Sequence, residues 1–138
     1  MPEINEFNRR VIEEFRANGG KVGGQFASAP MLILTTTGAR SGRTHTTPLV
    51  YSRDGDRIVV IASKAGAPTN PAWYHNLVAH PDATVELGRE RFQVKAVIAA
   101  GEERRRLFDN QAKQLPIFAD YQKRTSRQIP VVVLERTR

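Results

Sequence analysis

Hydrophobic and polar positions follow two different periods along this chain. Near the N-terminus, Ile4, Phe7, Val11, Ile12 and Phe15 recur at helical spacing, with Glu3, Glu6, Arg9, Arg10, Glu13 and Glu14 between them. That pattern predicts an amphipathic helix stopped by Gly19-Gly20. A glycine-bearing loop, "GGKVGGQFASAP", follows, and the period then changes. Apolar and β-branched runs predict strands over Met31 to Thr37, Thr44 to Arg53 and Arg57 to Ser63, the last ("RIVVIAS") reading as a central strand. Asp54-Gly55 signals a hairpin between the second and third, and Pro48 places the second at an edge or a bulge.

Downstream, the loop "KAGAPTNP" leads to a short helix, "PAWYHNLVAH", with Pro71 suited to its first position. Two more strands, "ATVELG" and "ERFQVKAVIAA", turn at Gly88; in the second, Phe92, Val94, Ala96 and Ile98 alternate with Arg91, Gln93, Lys95 and Val97. Glu102 and Glu103 suit a helix N-terminus, and Arg104 to Leu115 continues that helix. After Pro116, "IFADYQKRTSRQ" predicts a short helix and loop, and "IPVVVLE" a closing strand. Strands joined by hairpins imply an antiparallel sheet, so the fold class is α+β, or a barrel of about six strands with helices packed on it.

Composition narrows the function more than the fold. The 138 residues suit one domain, and 40% hydrophobic with 25% charged residues is ordinary for a globular chain. No run approaches the roughly 18 apolar residues that span a bilayer. The start, "MPEINEFNRR", lacks the apolar core of a signal peptide, so a cytoplasmic location is expected. The absence of cysteine excludes disulfides, thiolate metal sites and cysteine nucleophiles. His45, His75 and His80 form no helical pair, so no metal site is expected. A net charge of +7 favours anionic partners in general, although a solvated basic surface has the same composition.

Three stretches carry candidate chemistry. In "TTTGARSGRTHTTPL", Gly38 and Gly42 permit backbone with positive φ, and Arg40 and Arg43 offer planar, charge-assisted contacts to a phosphate. No Walker pattern is present, and on chemistry alone a solvated hairpin tip is the plainer reading of the turn. In "SKAGAPTNPAWYHNL", a strand ends on Ser63-Lys64 and a loop delivers Trp73 and Tyr74 at a helix start. The alternative there is a Trp73 that plugs the end of a barrel, with Lys64 in solvent. In "FADYQKRTSR", Tyr121 can donate a proton, and Lys123, Arg124 and Arg127 can meet an acidic ligand or a membrane; a surface helix with one inward aromatic is the plainer reading. No hydrolytic pattern appears, so an enzyme of this kind would take its reactivity from a cofactor.

Taken together, "GGQFASAPMLILTTTGARSGRTHTTPLVYSRDGD", "IASKAGAPTNPAWYHNLVAHPDATVEL" and "FADYQKRTSRQIPVVVLE" resemble the deazaflavin (coenzyme F420)-dependent nitroreductase and quinone reductase family. The resemblance covers roughly residues 20 to 135 and leaves the first helix outside it. It implies a single split β-barrel domain, similar to FMN-binding oxidoreductases, that binds reduced F420, a coenzyme with a phosphate-linked tail ending in glutamates. Carried over by position, Ala39, Arg40 and Ser41 match the loop that holds the phosphate end, with Arg43 assisting. The segment His45, Thr46, Thr47, Pro48, Leu49 and Val50 matches the strand beside the cofactor. Ile61, Ala62, Ser63 and Lys64 would supply backbone contacts and a second positive charge. Ala72, Trp73, Tyr74, His75 and Asn76 would line the ring or its tail, and Phe118 and Tyr121 the substrate face.

The implied reaction is hydride transfer from the reduced deazaflavin to a quinone, a nitroaromatic or an activated alkene, with Tyr121, Ser63 or water giving the proton. Ala39 and His45 depart from the commoner family pattern, and Val50, Leu115 and Phe118 stand where some members place tyrosines. Loss of those hydroxyls favours an apolar, quinone-like acceptor over a polar nitro group. Two other readings remain: an FMN-dependent reductase on the same barrel, and a non-catalytic basic module. Partners are expected to be a small-molecule acceptor and no nucleic acid, with a monomer or homodimer as the assembly. The first helix either packs on its own barrel or meets a partner subunit or membrane face.

Overall fold

The computed structural model describes residues 6–18 and 30–137. Ile4, the Gly19-Gly20 stop and all of the following loop except Pro30 lie outside them. The elements in chain order are α1 (Glu6–Ala17), β1 (Met31–Thr37), β2 (Thr44–Asp54), β3 (Arg57–Ile61), a 3-10 turn (Lys64–Gly66), α2 (Ala72–Ala79), β4 (Asp82–Leu87), β5 (Glu90–Ile98), α3 (Gly101–Gln114), α4 (Ile117–Lys123) and β6 (Val131–Arg136). The strands close into a barrel in the order β1-β2-β3-β6-β5-β4, every neighbouring pair antiparallel.

Side-chain alternation divides the apolar residues between the barrel interior and the helices outside. In β3, Ile58 and Val60 point into the interior with Leu32, Leu34, Val85, Phe92 and Leu134, whereas Val59 and Ile61 pack with Leu107, Phe108 and Phe118 of α3 and α4. A strand buried on both faces needs the unbroken apolar run that "RIVVIAS" displays. On another side, Val11, Ile12 and Phe15 of α1 cover Met31 and Ile33 of β1. The first helix therefore packs on its own barrel. In β5 the alternation holds through Phe92 and Val94, but Val97 and Ile98 are both about 41% exposed at the strand's end.

The feature that makes room for a site is the long β2. Its first half, Thr44 to Val50, pairs with β1 along one edge, and its second half, Tyr51 to Asp54, pairs with β3 along the other. Among the described residues the first half thus has one edge without a strand partner. Pro48, which has no N–H to give, falls in this half and produces no bulge, since its register with Ile33 is continuous. The barrel opens along that edge, beside the turn after β3 and helix α4.

Candidate active site

The Gly38–Arg43 turn closes on two backbone bonds, Gly38 N–H to the Arg43 carbonyl (2.7 Å) and Gly42 N–H to the Gly38 carbonyl (3.1 Å). Only Gly42 of the two glycines has a positive φ, +73°. Gly38 sits instead where side chains crowd in: a Cβ there would overlap the Ser41 hydroxyl oxygen and sit 2.6 Å from His45 Nε2, so any larger residue displaces one of them. Ser41 Oγ accepts from the Arg43 N–H at 3.1 Å. Asn76, buried on α2, ties the turn down: its Oδ1 accepts from the Ala39 N–H (3.0 Å) and its Nδ2 donates to Thr36 Oγ1 (3.1 Å). The arginine turn is therefore bolted to α2 as well as to its own hairpin.

Beneath this turn lies a cleft of about 750 Å³, walled by Gly38, Ala39, Arg40, Ser41, Arg43, His45, Ala72, His75 and Asn76. Arg40 and Arg43 are exposed and no carboxylate stands in the walls. Such a surface attracts anions and offers planar donors to phosphate or carboxylate oxygens.

A second cleft of about 350 Å³ opens at the unpaired edge of β2. It is lined by Thr47, Pro48, Leu49 and Val50 of β2, by Ile61, Ser63, Lys64, Pro71 and Trp73 from the end of β3 to α2, by Phe118 and Tyr121 of α4, and by Val11 and Met31. It is mostly apolar and again free of acids. Trp73 is both a wall of this cleft and a member of the barrel interior, so the two readings of that residue hold together. The Ser63 hydroxyl has no hydrogen-bond partner among the described residues, and Lys64 Nζ donates to Thr69 Oγ1 at 3.2 Å. Lys64 is also the one described non-glycine residue with a positive φ, +49°. Backbone held in that region needs its surroundings to enforce it. Tyr121 meets Phe118 edge to face, with ring centroids 5.4 Å apart.

The two clefts draw on neighbouring residues at the start of α2, Ala72 in one and Pro71 and Trp73 in the other, and along β2, His45 in one and Thr47 in the other. Most residues singled out from the sequence fall into these two sets. Thr46, Ala62 and Tyr74 wall neither. Thr46 Oγ1 faces Thr35 Oγ1 at 3.4 Å, Ala62 is buried in the barrel interior, and Tyr74 turns about 100° from Trp73 around the helix to pack against the interior cluster. Leu115 packs in the outer cluster, while Val50 and Phe118 reach the cleft.

Other features were not legible in advance. Val11 brings α1 into the cleft wall, a role its place in the apolar stripe does not reveal. Arg127, read from the sequence as a contact for an acidic ligand or membrane, turns inward: burial pulls its guanidinium below the usual arginine range, and its donors go to the loop after β3. Local sequence holds no signal for a partner about sixty residues away.

The sequence profile described as F420H(2)-dependent quinone reductase matches residues 7–136. This chain belongs to that family. It is 43% identical over 129 residues to an F420H(2)-dependent quinone reductase of Mycobacterium tuberculosis, covering 88% of this chain and 85% of that protein. Among solved structures, an F420-H2 dependent reductase matches with a TM-score of 0.71 at 36% identity, covering 77% of this chain and 94% of that one. A second, described as a domain-swapped dimer, matches with a TM-score of 0.73 at 33% identity over 92% of this chain and 96% of the other. The family profile begins inside α1, and the split-barrel architecture expected of an F420H(2)-dependent quinone reductase is the one observed.

Proposed function

We propose that the protein holds reduced coenzyme F420 across both clefts and reduces a quinone-class acceptor at the apolar one. The observation that carries this reading is the pairing at α2: an acid-free cationic cleft and an acid-free apolar cleft, lined by neighbouring residues of one helix and one strand, suit a ligand with an anionic tail and a flat ring. Arg40 and Arg43, with His45 and His75 nearby, would hold the phosphate and carboxylates of the tail, while Trp73, Pro48, Leu49 and Ile61 would surround the ring and exclude water. When bound, the reduced deazaflavin supplies the hydride. Val50 and Phe118 present no hydroxyl to an acceptor, which favours a quinone over a nitro group. An acceptor that takes a hydride then needs a proton, and Ser63 Oγ, Tyr121 Oη or water can give it. The relative described as a domain-swapped dimer supports a homodimer over a monomer. Among the described residues no helix is long and apolar enough to cross a membrane.

Titration with reduced F420 should quench Trp73 emission, and Arg40→Ala should weaken that binding about tenfold while leaving turnover at saturation near wild type. Unchanged emission with no heat of binding would overturn the coenzyme reading. Equal affinity in the variant would remove Arg40 from the tail.

A further inference from the structure

Arg127 lies outside both clefts, yet its side chain donates four hydrogen bonds. Its Nε donates to the Ala67 carbonyl (2.9 Å), one Nη to the Ala62 carbonyl (3.3 Å) and Asn70 Oδ1 (2.6 Å), and the other Nη to the Ser63 carbonyl (2.7 Å). No carboxylate takes part. A half-buried guanidinium whose partners are all neutral oxygens of one loop is not a salt bridge; it is a brace for that loop's backbone.

The brace is anchored at its own root. Gln122 of α4 donates from Nε2 to the Arg127 carbonyl (2.8 Å), and its Oε1 accepts from the Ile129 N–H (3.0 Å). The same helix carries Phe118 and Tyr121. The 3-10 turn presses directly on it: a Cβ on Gly66 would lie 2.8 Å from the Tyr121 carbonyl oxygen and from Arg124 Cβ. Gln122 and Arg127 therefore tie together two adjoining elements that line the apolar cleft, α4 and the Ser63-Lys64 segment.

Resting on the functional reading above, we propose that Arg127 is a positioning residue for the hydride-transfer site. It holds the 62–70 loop so that Ser63, whose hydroxyl has no partner among the described residues, and the strained Lys64 stay in the lining of the cleft. The +49° φ of Lys64 supplies the reason a brace is needed, because that conformation persists only where neighbours enforce it. Lysine cannot replace it, since an ammonium has three donors on one atom and cannot span four acceptors arranged along a bending loop.

The test begins without coenzyme. Amide hydrogen exchange in Arg127→Ala and Arg127→Lys should be at least about tenfold faster at residues 62–67 than in wild type, with amides of β1 and β4 unchanged. A destabilised control, Val94→Ala in β5, should raise exchange only through global opening and leave the loop no faster than the strands. Quinone turnover at saturating reduced F420 should fall about 100-fold in Arg127→Ala, the scale of a small misplacement of reacting groups. Millimolar guanidinium, far below denaturing concentration, should restore part of it. Loop exchange equal to wild type in both variants would overturn the proposal, and so would turnover falling in Val94→Ala as far as in Arg127→Ala. If Arg127→Ala fails to fold, Arg127→Lys carries the exchange test. A wild-type protein blind to reduced F420 would overturn the coenzyme reading and Arg127's part in the reaction, even with the exchange difference intact.

Discussion

The two clefts are built in opposite ways. The cationic cleft draws six of its nine wall residues from one hairpin, Gly38 to His45, and the rest from one helix. The apolar cleft gathers its walls from α1, β1, β2, β3, α2, α4 and the loop after β3, from Val11 to Tyr121. Charge recognition tolerates a local, exposed device because attraction acts at a distance and through flexible side chains. Excluding water around a flat ring requires surfaces that only tertiary packing can bring together. The first cleft therefore stands largely apart from the core, whereas the second shares residues with it.

That contrast can be broken most forcefully at Trp73, which belongs to both core and cleft. Trp73→Ala should cost about 3–5 kcal/mol of stability, read from urea melts, and abolish tight coenzyme binding in the fraction that folds. A variant with wild-type stability would show that the indole is a cleft wall only. A smaller effect is expected at Asn76. Removing its amide strands the Ala39 N–H and the Thr36 hydroxyl, so Asn76→Ala should lose about 1–3 kcal/mol. It should also raise the coenzyme Kd while leaving the acceptor KM unchanged; a raised acceptor KM would mean the clefts are not separable at α2.

The smallest effect is predicted far from either cleft. Asp54 is hydrogen-bonded by Arg106 (2.8 Å) and by Arg57, and these contacts hold its carboxyl well below the usual carboxylate range. A carboxyl lowered by folding adds stability above its unfolded titration near ~4 and loses that contribution as pH falls through the folded value. Asp54→Asn should therefore lower Tm by about a degree or two at neutral pH, since the cluster lies at the surface and is only partly buried, and the difference should close in acid. A gap that widened in acid would reverse the assigned sign. Coenzyme binding should be untouched, in contrast to Asn76.

The same contrast explains what the sequence disclosed. The strands and the Gly38–Arg43 turn were legible because their signals are local: β-branched runs, Asp54-Gly55, glycines bracketing arginines. Even there the place of Gly38 differed, since it leaves room for the Ser41 and His45 side chains rather than supplying a left-handed backbone. Residues whose roles depend on distant partners gave no such signal. Val11 looks like any residue of a helical stripe, and Arg127 looks like surface charge until the fold brings Ala62, Ser63, Ala67 and Asn70 against it. Tyr74 and Thr46 adjoin cleft residues in sequence, but helix rotation and strand geometry carry them away from the walls.

The half-paired β2 has a consequence for how this protein avoids sticking to itself. A strand with a bare edge invites another chain to add to the row, the first step of sheet-to-sheet aggregation. Here the bare stretch runs through Pro48, whose ring removes one amide an incoming strand would need, and α4 stands across the opening with Phe118 and Tyr121. An extended polypeptide would therefore meet a missing hydrogen-bond donor along this edge, a loss that a small planar guest would not feel.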